Sequence, residues 1–242
     1  MSAVVLAGPS LHGVAPDLLR GLTVLPPAAC GDVARAVRDG ASAVGLVDGL
    51  FESIPSVWHK ELLWALSQGV PVFGSSSTGA LRAAEMWRFG MRGVGLVYRL
   101  YRGATIIDDD EVALLHGPAE TGFIPLTHAL VNIRATLRRA RKTGLVDNDT
   151  EKTILRAAKS LFYKDRTLDR ILELSRGQLN PATDISRLQG DLTRVYRDVK
   201  REDATALLVK IGSPLNQGLE PPAAEFIRTS FWQTFEDEYL KV

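Results

Sequence analysis

Residues 45–82 read GLVDGLFESIPSVWHKELLWALSQGVPVFGSSSTGALR and contain the pattern that decides the fold. A short apolar run is followed by a stretch with helical spacing, then by a second apolar run, and finally by a serine-rich turn that leads into another helix. Alternation of short apolar runs with helices is typical of parallel βαβ units. The segment therefore predicts an α/β fold built on a parallel sheet.

The same alternation extends back to the start of the chain. Apolar runs short enough for buried strands lie at residues 4–7, 22–25, 43–47 and 70–73, and helical stretches that end on a glycine lie at 31–40 and 53–69. From about Pro125 the pattern changes to charged segments with helical spacing at 133–143, 150–162, 168–174, 185–199 and 201–211. We therefore expect residues 1–122 to form the α/β core and residues 123–242 to form a mainly helical region packed on it.

Composition limits the classes of function. The 29 Lys and Arg residues nearly cancel the 28 Asp and Glu residues, so net charge predicts neither nucleic acid nor a membrane as a bulk partner. Cys30 is the only cysteine, which excludes an intrachain disulfide and a zinc site made of several thiolates. No apolar stretch reaches the ~20 residues of a membrane span, and the N-terminal apolar run is too short for a signal peptide. We expect a cytoplasmic protein.

Three loops follow predicted strands and carry distinctive residues. They are residues 8–10 (GPS), 48–49 (DG) and 74–79 (GSSSTG). Ligands of parallel sheets bind beyond the carboxyl ends of the strands, where such loops leave the sheet. If the strands are neighbours, the three loops form one site.

The serine turn is close to the G-x-S-x-G nucleophile elbow, with a serine in place of the first glycine and Ser77 at the nucleophile's position. A serine there lies at a helix N-terminus, where free backbone N–H groups and the helix dipole stabilise an oxyanion. Serine is also a favoured helix N-cap, so a structural role stays open. Ser77 is the preferred nucleophile, and Ser75 and Ser76 remain alternatives.

Lys60 lies in a helical stretch that is apolar nearly all the way round. At ~100° per residue it falls opposite the natural core side, beside Val57 and Trp64. A lysine on an outer face is normally a solvated charge. Large apolar neighbours indicate, however, that another part of the fold or a partner covers this face, and a desolvated lysine can act as a neutral base toward a serine.

Other polar groups suggest further chemistry. His59 and His116 are alternative bases, and core or hydrogen-bonding roles suit both. The acidic run at residues 108–111 provides oxygen ligands for a cation, but a solvated loop or a helix N-terminus explains it equally. One predicted helix carries a basic run that suits a solvated face, an acidic protein or an RNA backbone, and consists of Arg134, Arg138, Arg139, Arg141 and Lys142.

A family resemblance rests on long motifs. The block GLVDGLFESIPSVWHKELLWALSQGVPVFGSSSTGALRAAEMWRFGM, continuing through GVGLVYRLYRG to DDDEVALLHGP, closely resembles the core of TfuA-like proteins. The early segments GPS and PPAACGDV match the same family more loosely. The resemblance covers roughly residues 3 to 120.

The resemblance implies a role beside YcaO enzymes in thioamidation of peptide backbones. It further implies hydrolysis of a thiocarboxylated, ThiS-like sulfur carrier protein, which releases sulfide, by a Ser-Lys site. In this chain the lysine of the WHKE motif is Lys60 and the serine of the S-x-GALRA motif is Ser77. Relatives often carry alanines at the positions of Ser75 and Ser76, and Thr78 stands where methionine is expected.

The expected mechanism uses no metal and no cofactor. Lys60 takes the proton of Ser77 as the hydroxyl attacks the thiocarboxylate carbon. The oxyanion is then held by backbone N–H groups at Thr78 and Gly79, joined by those of the loop at residues 8–10, while Arg82 binds the terminal charge of the carrier. The remaining candidate substrate-binding residues are Gly8, Ser10, Asp48 and Ser76.

The expected partners are a YcaO enzyme, the sulfur carrier and, through YcaO, a precursor peptide; nucleic acid and membrane are not expected. A rival interpretation is a non-catalytic adaptor that docks YcaO with its peptide substrate or the carrier. A third is a nucleotide-binding α/β module, but the sequence has neither G-x-G-x-x-G after the first strand nor a Walker lysine motif.

Overall fold

The computed structural model describes residues 2–50, 52, 54–213 and 225–240. Its strands form one fully parallel sheet in the order β2-β1-β3-β4-β5. The strands are β1 (Ala3–Leu6), β2 (Leu22–Leu25), β3 (Val44–Leu46), β4 (Val72–Ser75) and β5 (Arg92–Val94). Because β1, β3 and β4 are neighbours, the loops at their carboxyl ends lie side by side.

The helices follow the alternation that the sequence predicts. In chain order they are α1 (Asp32–Arg38), α2 (His59–Ser67), α3 (Thr78–Met86), α4 (Gly95–Arg102), α5 (Leu130–Lys142), α6 (Asn148–Ser160), α7 (Leu168–Ser175), α8 (Ile185–Arg194), α9 (Val199–Ile211) and α10 (Ser230–Phe235). The predicted α/β class, with a parallel sheet followed by a mainly helical C-terminal half, is confirmed.

The centre of the sheet is buried on both faces because successive residues of its central strands enter different cores. Val4 and Leu6 pack with residues of α1, α2 and α3. Val5 between them packs on the opposite face, against Leu207 and Leu208 of α9. Strands covered on both faces are nearly continuous apolar runs, which explains why β1, β3 and β4 were visible in the sequence. The edge strand β2 is partly exposed and was visible from its apolar residues alone.

Contacts between Cα atoms divide the chain into two compact units. The first contains residues 1–107 and 201–242, and the second contains residues 108–200. In the second unit the helices α5 to α8 enclose an apolar core that includes Leu137, Ile154 and Ile171. The division at residue 122 that the sequence suggested stays a prediction about domain organisation.

Some predicted boundaries differ from the structure. The helix predicted from residue 53 begins at His59; residues 55–58 are not helical, and residue 53 lies outside the described residues. The start is fixed at His59 because the Glu61 carboxylate accepts the Trp58 N–H at 2.8 Å and caps the first turn. Three of the named elements were not predicted: β5, α4 and α10. Arg92-Gly93-Val94 and the six residues of α10 carry little periodic signal.

Helices that could cross a membrane are not found in the part of the chain that the structure describes.

Candidate active site at the serine turn

A sharp turn joins β4 to α3. Ser76 has a φ of 65°, which is rare for a residue with a side chain, and the Ser77 N–H donates to the Ser75 carbonyl at 2.8 Å. A residue in such a conformation costs on the order of 1–3 kcal/mol, and such strain clusters at active sites and ligand-binding loops. The turn has the strand-to-helix form of a nucleophile elbow, but its strained residue is Ser76, whereas Ser77 has a negative φ of −115°.

Two glycines allow the turn to pack closely against β3. A Cβ on Gly79 would lie 1.8 Å from the Leu46 carbonyl oxygen, and a Cβ on Gly74 would lie 2.1 Å from the Gly79 carbonyl oxygen. The Gly79 N–H donates to the Val47 carbonyl at 3.1 Å. The start of α3 is therefore fixed against the end of β3, and any larger residue at 79 would displace it.

The three buried serines of the turn are in different states. The Ser75 hydroxyl donates to the Asp203 carbonyl at 2.8 Å, which ties the turn to α9. The Ser76 hydroxyl lies 2.7 Å from the Ser10 hydroxyl. No hydrogen bond of the Ser77 hydroxyl is found among the described residues, although Ser77 is the N-cap residue of α3. Of the three, Ser77 therefore has the hydroxyl that is available to a substrate.

Asp48 joins the loops after β1 and β3. Its buried carboxylate accepts the Gly8 N–H at 2.9 Å, the Ser10 N–H at 3.0 Å and the Ser10 hydroxyl at 2.7 Å. With the contact between Ser10 and Ser76, these bonds bring all three strand-end loops together. The N–H groups of Gly8 and Ser10 therefore already donate to an acceptor inside the protein.

Thr78 begins α3 beside Ser77. Its N–H has no intrahelical acceptor, as is general for the first turn of a helix. Its Oγ1 is buried and makes no hydrogen bond in the described part of the chain. A Cβ on Gly49 would lie 3.0 Å from this oxygen, so the hydroxyl is next to the loop after β3. A buried hydroxyl without a partner is uncommon in native proteins and is explained where a ligand supplies the missing bond.

Lys60 lies in the first turn of α2, and its ammonium group lies 5.1 Å from the centre of the Phe226 ring. Among the described residues, no hydrogen bond joins Lys60 to Ser75, Ser76 or Ser77. The structure therefore brings Ser76, Ser10 and Asp48 together at the turn, while Lys60 contacts the C-terminal segment.

The start of α2 is nevertheless held against α3. Arg82 of α3 donates its Nε to the Val57 carbonyl at 3.1 Å, and its guanidinium also pairs with Glu85 at 2.7 Å. His59 Nε2 lies 2.8 Å from the same Glu85 oxygen, Oε2. Burial alone would raise the pKa of Glu85, but His59 and Arg82 outweigh it and hold that pKa below its usual value. Arg82 and His59 thus have structural partners.

The face of α2 that carries Trp64 is covered, as the sequence indicated, but Val57, which the sequence placed on the same face, lies in the main core. Trp64 contacts Trp232 with ring centres 5.7 Å apart, and Trp58 contacts Phe235 at 5.5 Å. The cover comes from α10, whose Trp232 is buried. This aromatic cluster explains why Lys60 has apolar neighbours.

Glu61 is a buried residue whose role the sequence analysis did not assign. Its carboxylate accepts the N–H groups of Trp58, Gly31, Val33 and Ala34 at 2.8 to 3.2 Å and so caps α1 and α2 together. Burial raises its pKa, and the N–H donors oppose the shift. A glutamate at the third helical position is one half of a capping-box signal, but the N-cap residue is Trp58 rather than a serine or threonine, so the sequence signature is incomplete.

Several of the remaining candidates have structural partners. Asp108, Asp110 and Glu111 of the acidic run pair with basic residues of their own unit, Lys159, Arg166 and Arg134. His116 Nδ1 lies 2.7 Å from the Gly117 carbonyl oxygen. Within the described residues, no group of three or more His, Cys, Asp or Glu side chains is placed to hold a metal ion.

Comparison with known proteins agrees with the resemblance seen in the sequence. No curated protein matches the chain. Residues 48–167 match the profile of a protein family described as TfuA-like protein. The matched region contains Asp48, the lysine helix α2 and the serine turn. Through residues 48–167, this chain belongs to the TfuA-like protein family.

Proposed function

We propose that the protein is a hydrolase that releases sulfide from a thiocarboxylated, ThiS-like sulfur carrier and so supports YcaO-dependent thioamidation of a peptide backbone. The observation that carries the proposal is the serine turn. A buried serine, whose hydroxyl makes no hydrogen bond to the described residues, stands at the N-terminus of α3, directly after a strained residue. Such a turn suits nucleophilic attack on a carbonyl-type carbon.

In the proposed mechanism the Ser77 oxygen attacks the thiocarboxylate carbon while Lys60 accepts the serine proton. The tetrahedral oxyanion is held by the Thr78 N–H, with the Thr78 hydroxyl as a second donor. Collapse breaks the carbon–sulfur bond and expels sulfide, which takes the proton from Lys60. Water then hydrolyses the acyl-serine ester and leaves the carrier with an ordinary carboxylate. No cofactor takes part.

Three of the candidate oxyanion donors already have acceptors inside the protein. The N–H groups of Gly8 and Ser10 donate to Asp48, and that of Gly79 donates to Val47. Of the residues that the sequence suggested as oxyanion donors, we therefore propose Thr78. We keep Arg82 as a candidate for the carrier's terminal charge, although its Nε already donates to Val57.

Lys60 must leave the Phe226 ring to act as the base. The contact between the two is a cation–π interaction at a partly exposed site, worth about 0.5–1 kcal/mol, so thermal motion suffices to break it. We propose that carrier binding favours this rearrangement. We propose that the reaction takes place in the cytoplasm. The YcaO enzyme then uses the sulfide to thioamidate its precursor peptide.

The adaptor interpretation is a second candidate, and the same contact favours it. An ammonium group that packs on Phe226 and makes no hydrogen bond to the described serines fits a docking residue as well as a base. Such an adaptor would present the carrier or the peptide to YcaO without chemistry of its own.

One experiment separates the two functions. The purified full chain is mixed with a thiocarboxylated ThiS-type carrier in the absence of YcaO, and sulfide is measured over time. The hydrolase proposal expects steady release that Ser77→Ala and Lys60→Ala abolish. Release at the background rate from the wild-type protein supports the adaptor instead. Release that both variants retain in full means that the site is elsewhere.

A further inference from the structure

The direction of the hydrogen bonds between Asp48 and the serine turn follows from elementary chemistry. The Asp48 carboxylate accepts the N–H groups of Gly8 and Ser10 and also the Ser10 hydroxyl, at 2.7 Å. The single proton of the Ser10 hydroxyl is therefore used. In the 2.7 Å contact between the Ser10 and Ser76 hydroxyls, Ser76 must then be the donor. The proton order runs from Ser76 to Ser10 to Asp48.

This chain of bonds ends on the strained residue of the turn. Ser76 has a φ of 65°, and its neighbours cannot relax the strain because Gly74 and Gly79 pack directly on backbone atoms. The described hydrogen bond of the Ser76 side chain is the one to Ser10. A fixed Ser76 in turn fixes the backbone of Ser77, whose N–H closes the turn on Ser75.

We propose that Ser10 is a positioning residue, itself oriented by Asp48, that acts on Ser77 through Ser76. The bond from Ser76 to Ser10 anchors the strained conformation and so sets the direction in which the Ser77 hydroxyl faces the substrate. This inference rests on the proposed hydrolase function. It assigns no proton transfer to Ser10 or Asp48.

The test is a double-mutant cycle between Ser10 and Ser76, with sulfide release from the thiocarboxylated carrier as the readout. Ser10→Ala removes the acceptor of Ser76 but leaves the two N–H bonds to Asp48, so the loop can still fold. We expect kcat to fall roughly 10- to 100-fold, as for a misplaced nucleophile, while KM changes less than about twofold. Ser76→Ala removes the same bond and should lose a similar factor.

The effect of S10A is also measured in the Ser76→Gly variant, and this comparison decides the question. Glycine adopts a positive φ without strain, so S76G needs no anchor and should lose less activity than S76A. If Ser10 acts through Ser76, then adding S10A to S76G costs less than about twofold. Equal losses from S10A in both backgrounds would overturn the inference, and so would wild-type kcat in the S10A variant.

A matched control lies on the same sheet. Ser2 and Thr23 form another hydroxyl pair, 2.8 Å apart and exposed, and Thr23→Ala should leave kcat unchanged. A fluorophosphonate label located by mass spectrometry gives a readout independent of the carrier. The wild type should be labelled at Ser77, and S10A should slow labelling by a factor like that in kcat.

The two readouts separate failure of the inference from failure of the proposed function. Labelling at Ser77 that depends on Ser10, without any sulfide release, would refute the thiocarboxylate substrate and support the positioning role. An adduct on Ser76, or the absence of an adduct on Ser77, would overturn the positioning role whatever the substrate.

Discussion

The Lys60 ammonium nitrogen lies 5.1 Å from the centre of the Phe226 ring. The ring face attracts the ammonium group, so this contact holds the Lys60 side chain on the C-terminal segment. A general base must come within hydrogen-bond reach of the proton that it removes. In the proposed mechanism, the contact with Phe226 therefore opposes catalysis by Lys60.

Replacing the ring tests this relationship. Phe226→Leu keeps an apolar side chain but removes the cation–π attraction, and we expect the rate of sulfide release to rise about two- to fivefold. The measurement is kcat with the thiocarboxylated carrier. Trp87→Leu, which removes the ring that lies 3.7 Å from Arg102, is the matched control and should have no effect. A loss as large as that in Lys60→Ala would mean that Phe226 holds Lys60 in its working position.

The Thr78 hydroxyl, which makes no hydrogen bond to the described residues, is the proposed second oxyanion donor. Thr78→Val has the same shape but lacks the proposed oxyanion donor, so we expect kcat to fall about 100-fold. Stability should stay the same or rise slightly, because a buried hydroxyl without a hydrogen bond is removed. Thr78→Ser retains the donor and should retain most of the activity. If T78V has wild-type kcat, the hydroxyl does not contact the reacting atoms.

Glu61 is predicted to be essential for folding rather than for chemistry. Its carboxylate accepts four backbone N–H groups, and Glu61→Gln places an amide N–H₂ against some of them. We expect a loss of about 1–3 kcal/mol in the free energy of unfolding, measured in urea. Glu173→Gln, at an exposed ion pair, should change it by less than about 0.5 kcal/mol. Equal stabilities would show that the caps are replaceable.

The aromatic cluster between α2 and α10 should contribute strongly to stability. Trp232 is 1% exposed and packs on Trp64, whereas its neighbour Phe231 is 77% exposed. Trp232→Ala should therefore cost about 3–5 kcal/mol of unfolding free energy. Phe231→Ala should cost less than about 0.5 kcal/mol and serves as the control. Similar losses in the two variants would argue against the observed docking of α10.

The Cys30 thiol should make the free energy of unfolding depend on pH. Burial raises the pKa of its thiol from 9.0 to about 11, and the charge of Glu61 adds to the effect. Between these values the folded protein keeps a proton that the unfolded chain has lost, so the free energy of unfolding decreases as pH rises through this range. Urea unfolding at pH 8 and pH 10 measures the decrease. It should be smaller in Cys30→Ala, and an equal decrease there would assign it to other groups.

Much of the fold could be predicted from the sequence. The strands β1, β3 and β4 were visible because burial on both faces makes them short apolar runs, and the helices α5 to α9 were visible because each buries one periodic face. The edge strand β2 was visible from its apolar residues although it is partly exposed. The edge strand β5 was missed, since Arg92-Gly93-Val94 has no apolar run. The early start predicted for α2 was wrong because the Glu61 cap, rather than apolar spacing, fixes His59 as its first residue.

The candidate site, too, could be predicted only in part. The sequence by itself determined that loops carrying serines, Asp48 and Gly79 follow short apolar strands, because strand pattern and loop chemistry are local properties. Only the tertiary structure decided that these strands are neighbours. It also decided how the three serines differ: Ser75 bonds to α9, Ser76 bonds to Ser10, and the Ser77 hydroxyl makes no hydrogen bond to the described residues. It also decided that Lys60 contacts Phe226. Those contacts join residues far apart in the chain, and their geometry depends on how the whole fold packs.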